Sequence, residues 1–359
     1  MKQSKSSSDI IFSLMTFAVI LALGYVIMQI SQKITHSNTD EPVRSVSAQP
    51  YKNHSDYSKL DDTTISEYFS DSKWYELSVN QESSLPNQTQ TEDNRTIRQT
   101  TYGRGDGGGF VRLVSGAQVE NHTTETSQCI YAQSNLLPDY TISLDGSPQV
   151  LIIHTHTTEG FELSETDYYD ATQNARTTDD NSNVIAVGNE IAAQLEACGI
   201  GVIHDTTYHD YPSYTGCYAR SAQTTKSIIS QYPTIKVVLD IHRDSITTLD
   251  GTRIAPVIEI EKQKAAQARI ISGCDDGTMD MPEYMQNFRL ACLIQNETEY
   301  TYPGLMRAIE FDYNKYNQDI TTGSLTIEVG SAANSLDQAI YTGQLLGNTI
   351  AQALLSIST

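Results

Sequence analysis

VLIIHTHTTE, residues 150–159, starts as an apolar run of strand length and ends in two histidines and a glutamate. The run IKVVLDIH, residues 235–242, repeats the form, and SLTIE, residues 324–328, ends on a carboxylate. A strand covered on both faces reads as continuous Val, Ile and Leu, because neither set of alternating side chains meets water. Polar residues closing such a run fall at the carboxyl edge of the sheet, where α/β proteins place their sites. Two histidine-bearing strand ends and an acid point to metal-assisted hydrolysis.

The surrounding pattern supplies the layers. Residues 149–153 read as a strand, and 183–198 carry apolar residues at helical spacing before the stop Gly199. Strands follow at 201–204, 235–241, 254–260 and 325–329, and helices at 218–231, 281–297 and 336–357. Alternation of this kind predicts an α/β domain, a mostly parallel sheet flanked by helices, over residues 146–359.

The first part of the chain has a different texture. Residues 10–32, IIFSLMTFAVILALGYVIMQISQ, carry no charge and are long enough for one membrane-crossing helix. Lys2 and Lys5 precede the run, so the positive-inside bias places residues 1–9 in the cytoplasm and the body outside. A cleaved signal peptide fits less well, since the run is long and no small-x-small site follows it. Residues 33–145 read as a polar linker and N-terminal extension, too poor in apolar residues over most of their length to bury a core. A short docking helix around Trp74 is the exception there. GRGDGGG, residues 103–109, lacks the Lys-Ser/Thr ending of a phosphate loop and reads as a hinge.

A net charge of −21, from 44 acidic and 23 basic residues, excludes nucleic acid as the natural partner. Five scattered cysteines with no Cys-x-x-Cys make neither a disulfide framework nor a zinc knuckle, though they leave room for one exported pair.

His154 and His156 are two apart, so on an extended strand end both face one side, with Glu159 close by. Imidazole and carboxylate are zinc donors, and His242 supplies a second strand end. Asp240, two residues before His242, is placed to orient that imidazole. Arg243 and Asp244 form a salt-bridged turn, or Arg243 supports a carboxylate or the oxyanion. Glu328 is the candidate base that takes a proton from water and returns it to a leaving amine. No Gly-x-Ser-x-Gly elbow and no His-Glu-x-x-His helix occurs. His204 and His209 are spare ligands, or belong to a tyrosine-rich loop that shapes the substrate groove.

HTHTTEG (154–160), HDTTYHDYPSYTGCYARS (204–221), DIHRDS (240–245), YNQ (316–318) and IEVGSAANSLDQA (327–339) together resemble the stage II sporulation protein P family. The resemblance covers nearly all of residues 148–357 in order and spacing. It implies a zinc-amidase-like α/β fold and a membrane-anchored, zinc-dependent N-acetylmuramoyl-L-alanine amidase with endopeptidase action on peptide cross-links. It further implies peptidoglycan as substrate, engulfment proteins D and M of the same stage as partners, and a site on the membrane's outer face at the septal wall. His156 and His242 correspond to metal-site residues of the family, and Glu328 to its catalytic acid/base. The third metal ligand stays open: Glu159 by local geometry, then His154, then Asp179 or Asp180. A wall-binding scaffold that has kept an amidase fold, and a peptidase that cuts only stem peptides, are the rival readings.

Overall fold

The computed structural model describes residues 94–359. The expected membrane helix at 10–32, the tail before it and the docking helix around Trp74 lie outside the described residues. No helix among the described residues is long and apolar enough to cross a membrane.

Among the described residues, twelve strands make two sheets. The main sheet has eight, in the order β2 (Phe110–Arg112), β3 (Gln118–Asn121), β11 (Ile309–Asp312), β10 (Ala268–Gly273), β12 (Ser324–Ser331), β7 (Val237–Asp244), β4 (Pro148–Ile153) and β6 (Gly201–His204). The second sheet has the order β5 (Tyr168–Asp170), β1 (Asn94–Thr100), β8 (Arg253–Ile260) and β9 (Gln263–Ala266). Strands β6, β4, β7 and β12 run parallel to one another. Strand β10 is antiparallel to β12, β2 to β3, and β5 and β9 to their neighbours. The architecture is therefore mixed α/β, which corrects the expectation of a mostly parallel sheet. The strip bearing the histidine motifs is parallel, and the reversal comes at β10.

Regular structure also occurs before residue 146. Residues 110–121, read as linker and extension, give β2 and β3, and Val111 and Val119 enter the main core. Helix α1 (Ser127–Gln133) buries Ile130 in the same core.

Period-two alternation explains how β4 holds two helix layers at once. Val150 and Ile152 pack with Val187, Ile191 and Leu195 of α2 (Val184–Ala197) and with Leu346 and Ile350 of α5 (Leu336–Leu355). Leu151 and Ile153 turn to the other face, with Ile228 and Ile229 of α3 (Cys217–Gln231). Each such fully buried side chain contributes ~1.5–3 kcal/mol. The fourth long helix, α4 (Tyr284–Thr301), joins the first layer through Phe288, Leu290 and Ile294. Helix starts are fixed by side chains: Asn183 caps α2, and Ser335 with Gln338 forms a capping box on α5.

The same alternation sets up the site. In β7, Val237, Leu239 and Ile241 face α2 and α5, and in β12 Leu325, Ile327 and Val329 do likewise. Asp240, His242, Thr326 and Glu328 consequently share the α3 side, at the carboxyl ends of adjacent parallel strands. His242 and Glu328 are direct register partners.

Candidate functional site

The chain after β4 turns at once. Residues 155–158 form a buried turn, not an extended continuation, so His154 and His156 part company. His154 donates from Nδ1 to the Ile241 carbonyl at 2.9 Å, and its Nε2 lies 2.8 Å from Nε2 of His204. This tautomer leaves His154 Nε2 as acceptor and His204 as donor. Burial, and then the neighbouring imidazole, push His154 down to about 3, and burial pushes His204 down to about 4, so both rings are neutral. The pair ties β4 to β6 and β7, and it does not face the other candidate ligands. His209 is structural too: it donates from Nδ1 to the His154 carbonyl at 2.9 Å.

His156 stands against His242 with ring centroids 5.1 Å apart and planes near perpendicular. Burial pushes its pKa down to about 3, leaving a neutral ring with lone-pair capacity. Tyr214 stacks on it, Tyr218 meets it edge-on, and the Cys217 thiol lies 3.8 Å from Nδ1. Burial pushes that thiol up to about 12, so it stays protonated.

Glu159 is held from two sides. The Arg243 backbone N–H donates to its Oε2 at 3.0 Å, and the Arg176 guanidinium lies 3.6 Å from Oε1. Its Oε2 is 3.4 Å from His242 Nδ1. Burial alone would raise this carboxyl, but the histidines and Arg243 outweigh it and hold the group well below the usual range. His242 shows the reverse balance. Burial works against its charge, yet Asp240 and Glu159 hold its pKa well above the ordinary value. Asp240 Oδ1 is 2.9 Å from His242 Nε2, but off the line of a hydrogen bond, and that nitrogen is buried without an aligned partner. Asp240 is itself fixed by Thr155, which donates from its backbone N at 2.8 Å and from its hydroxyl at 2.6 Å.

Glu328 stands on the neighbouring strand. Its Oε2 is sealed from solvent with no hydrogen-bond partner. Burial and the charges of Asp244 and Glu159 raise its carboxyl, against His242 and Arg307, to about 8. The strand is locally irregular after Glu328, where register shifts before Ser331 and Gly330 takes φ +62°. A Cβ at Gly330 would meet Asn334 Oδ1 at 2.7 Å and Ala266 Cβ at 2.8 Å. Such bulges re-aim side chains beside sites. Gly330→Ala is expected to cost about 1–3 kcal/mol of stability, read as a lowered urea midpoint. An unchanged midpoint would show that the left-handed turn is dispensable.

Arg243 does not reach toward a reacting group. Its side chain donates to the carbonyls of Gly160 at 2.5 Å and Ala175 at 3.2 Å, clamping the Glu159 turn to the loop before α2. Asp179 and Asp180 are exposed, Asp179 bonded within its own turn and Asp180 to Tyr208. The structure thus brings together His156, Glu159, Asp240, His242 and Glu328, and sets His154, His204, His209, Asp179 and Asp180 apart. Sequence reasoning missed Arg176 and Asp210, paired at 2.7 Å over the site, because nothing in spacing links residues so far apart. Tyr214 had a signal in the tyrosine-rich loop read as groove-shaping, whereas Tyr218 was read only as the start of a helix. The five cysteines are free, so no disulfide pair forms.

Two imidazoles and one carboxylate are a donor set suited to a catalytic zinc ion. As they stand, no three His, Cys, Asp or Glu side chains among the described residues surround one point. The 3.4 Å between Glu159 Oε2 and His242 Nδ1 nevertheless suits two donors sharing an ion, and the buried Glu328 oxygen lacks a hydrogen-bond partner.

A family model described as stage II sporulation protein P matches residues 23–351. The stage II sporulation protein P of Bacillus subtilis (strain 168) is 27% identical over 205 residues, which cover 53% of this chain and 47% of that protein. The chain thus matches about half the length of this curated relative. Among solved structures, an N-acetylmuramoyl-L-alanine amidase from Clostridium difficile 630 aligns at 17% identity and a TM-score of 0.36, over 59% of this chain and 97% of that one. The amidase AmiC2 of Nostoc punctiforme aligns at 12% identity and a TM-score of 0.35, over 59% and 98%. The CwlD amidase from Clostridioides difficile, solved in complex with the GerS lipoprotein, aligns at 16% and 0.35, over 58% and 100%. These structural likenesses are loose.

Proposed function

The chain belongs to the stage II sporulation protein P family, and from that premise we propose that it is a peptidoglycan hydrolase of sporulation that cleaves the N-acetylmuramoyl–L-alanine amide. The observation that carries the reading is a buried acid beside a buried imidazole on register partners of adjacent strands: Glu328 Oε2 has no hydrogen-bond partner, and His242 is held between the carboxylates of Asp240 and Glu159. Leaving a group such as Glu328 Oε2 unpaired costs ~1–3 kcal/mol, a penalty that a bound ion and substrate relieve.

His156, His242 and Glu159 would hold the cation, with His156 or His242 turning to converge on it. When bound, zinc would polarise the attacking water and the amide carbonyl. Asp240, locked by Thr155, fixes the orientation of His242. Arg243 and its carbonyl contacts keep Glu159 in place. Glu328 receives the water's proton at Oε2 and returns it to the departing amine nitrogen. A carboxyl raised toward neutrality suits both halves of that transfer. The proposal extends to the rest of the chain: residues 10–32 anchor the protein, and the site works outside the membrane with engulfment proteins D and M. Cleavage of peptide cross-links belongs to the same proposal.

The test is mass analysis of sporangial peptidoglycan digested by the purified, zinc-supplied full chain. New free lactyl groups on glycan and peptides beginning at L-alanine are expected, lost with a chelator and restored by zinc. Stem-peptide cuts alone would contradict the amidase assignment, chelator-resistant activity would contradict the metal, and no products at all would leave a wall-binding scaffold.

A further inference from the structure

We propose that Asn317 is a positioning residue, whose amide sets the direction of a buried hydrogen-bond chain ending on Asp240 and so fixes the imidazole of His242. This deepens the hydrolase reading above and rests on it for the role of His242.

Asn317 Nδ2 donates to the Tyr218 carbonyl at 2.9 Å and to Ser221 Oγ at 3.0 Å, both on α3. Ser221 Oγ lies 2.7 Å from Thr155 Oγ1, and Thr155 Oγ1 lies 2.6 Å from Asp240 Oδ2. Ser221, Thr155 and Asp240 are all buried. The cavity that they line with Asn317 is about 10 Å³, so bulk water does not reach the chain to replace a missing partner.

The two ends give this chain its direction. A carboxylate only accepts, an amide nitrogen only donates, and each hydroxyl between them has a single proton. When Thr155 donates to Asp240, its oxygen accepts the Ser221 proton, and Ser221 accepts from Asn317. The opposite order also has partners: Thr155 donates to Ser221, and Ser221 to the Tyr218 carbonyl at 3.1 Å. That order takes the Thr155 hydroxyl away from Asp240 Oδ2. Of its two tethers to Thr155, Asp240 then keeps the backbone N–H on Oδ1, the oxygen 2.9 Å from His242 Nε2. Asn317 decides between the two orders. It occupies the Tyr218 carbonyl and points an N–H at Ser221, so both hydroxyl protons run toward Asp240.

The turn is built to hold this amide. Tyr316 and Asn317 take φ +41° and +58°, in the left-handed region where asparagine is several-fold enriched. Such backbone persists only where its surroundings over-determine it. Gln318 supplies the clamp: its side chain accepts from the Gly273 backbone N–H at 2.9 Å and donates to the Ile271 carbonyl at 3.0 Å, both on β10. The Tyr316 ring lies 5.6 Å from that of Tyr218, which meets His156 edge-on. One turn therefore backs the supports of both imidazoles.

The test compares the full chain with its Asn317→Gly, Ser221→Ala and doubly substituted variants. Glycine keeps the left-handed backbone and removes the amide. Two quantities are measured: the ring ¹H–¹⁵N signals of His242 in metal-free protein labelled at histidine, and zinc affinity. Each single variant is expected to shift the His242 signals and to weaken zinc binding about tenfold, as for other partners that orient a metal-bound imidazole. The double variant should match the singles, because a chain already cut loses nothing by a second cut. A lowered urea midpoint with His242 signals and zinc affinity unchanged would overturn the proposal, since the turn would then support only the fold. Losses of zinc affinity that add in the double variant would overturn it too. If wild type binds no zinc, the metal-dependent reading falls, and the His242 signals alone decide the proposal: shifted in every variant they uphold it, unmoved they overturn it.

Discussion

Glu328→Gln is expected to lower kcat on peptidoglycan by about 10²–10⁴ while leaving zinc content and fold intact. Glutamine keeps the size and reach of the side chain but cannot accept the water's proton. The stability side of the experiment is what makes it decisive. Glu328 carries a buried oxygen with no partner, and burial already raises its carboxyl to about 8. A group in that state gains little from its charge, so neutralising it should not weaken the fold. A variant with a normal urea midpoint, normal zinc and almost no turnover identifies Glu328 as the proton carrier. Activity within tenfold of wild type would remove it from that role.

His242→Ala is expected to have the largest combined effect, abolishing zinc binding and turnover and also weakening the metal-free protein. The imidazole lies between the carboxylates of Asp240 at 2.9 Å and Glu159 at 3.4 Å, and these hold it in its charged form. Removing it leaves two buried carboxylates facing each other, a change that typically costs ~3–5 kcal/mol. His156→Ala separates the two roles. That ring is neutral in the metal-free protein, and its neighbours are mainly aromatic. Its loss should remove zinc with a smaller penalty on folding. Elemental analysis and urea denaturation in chelator, done on both variants, read the two effects independently. Equal zinc content in wild type and both variants would place the metal elsewhere.

Much of this was legible in the three apolar runs, because a strand buried on both faces must be written in Val, Ile and Leu. Their polar ends gave His156, His242 and Glu328, and alternation gave Asp240 beside His242. What alternation could not show was where extended structure stops. The expectation that His154 and His156 share a side assumed a strand through residue 156, whereas the chain turns at 154 and sends His154 to His204. Arg243 was read as part of a salt-bridged turn or as a support for a carboxylate or the oxyanion. Its side chain serves loop carbonyls and its backbone N–H serves Glu159, a division that spacing does not encode.

The mixed sheet was hidden for a related reason. Strands of three or four residues such as β2, β3 and β11 contain too few alternations to stand out. Strand β10 carries Arg269, which looks like a surface residue until Glu310 at 2.7 Å and Glu120 are found around it. A charge compensated by distant partners erases the apolar signature of a central strand. Residues before 146 also complete the sheet, through pairing of β3 with β11 some 190 positions along the chain.

The central claim is most directly tested by anomalous diffraction at the zinc edge from crystals grown with zinc. The account predicts one strong peak with His156, His242 and Glu159 donors at about 2.0–2.3 Å and the Glu328 carboxyl facing the ion across a space for water. A peak held by other residues, such as His154 with His204, or no peak at saturating zinc, would contradict it.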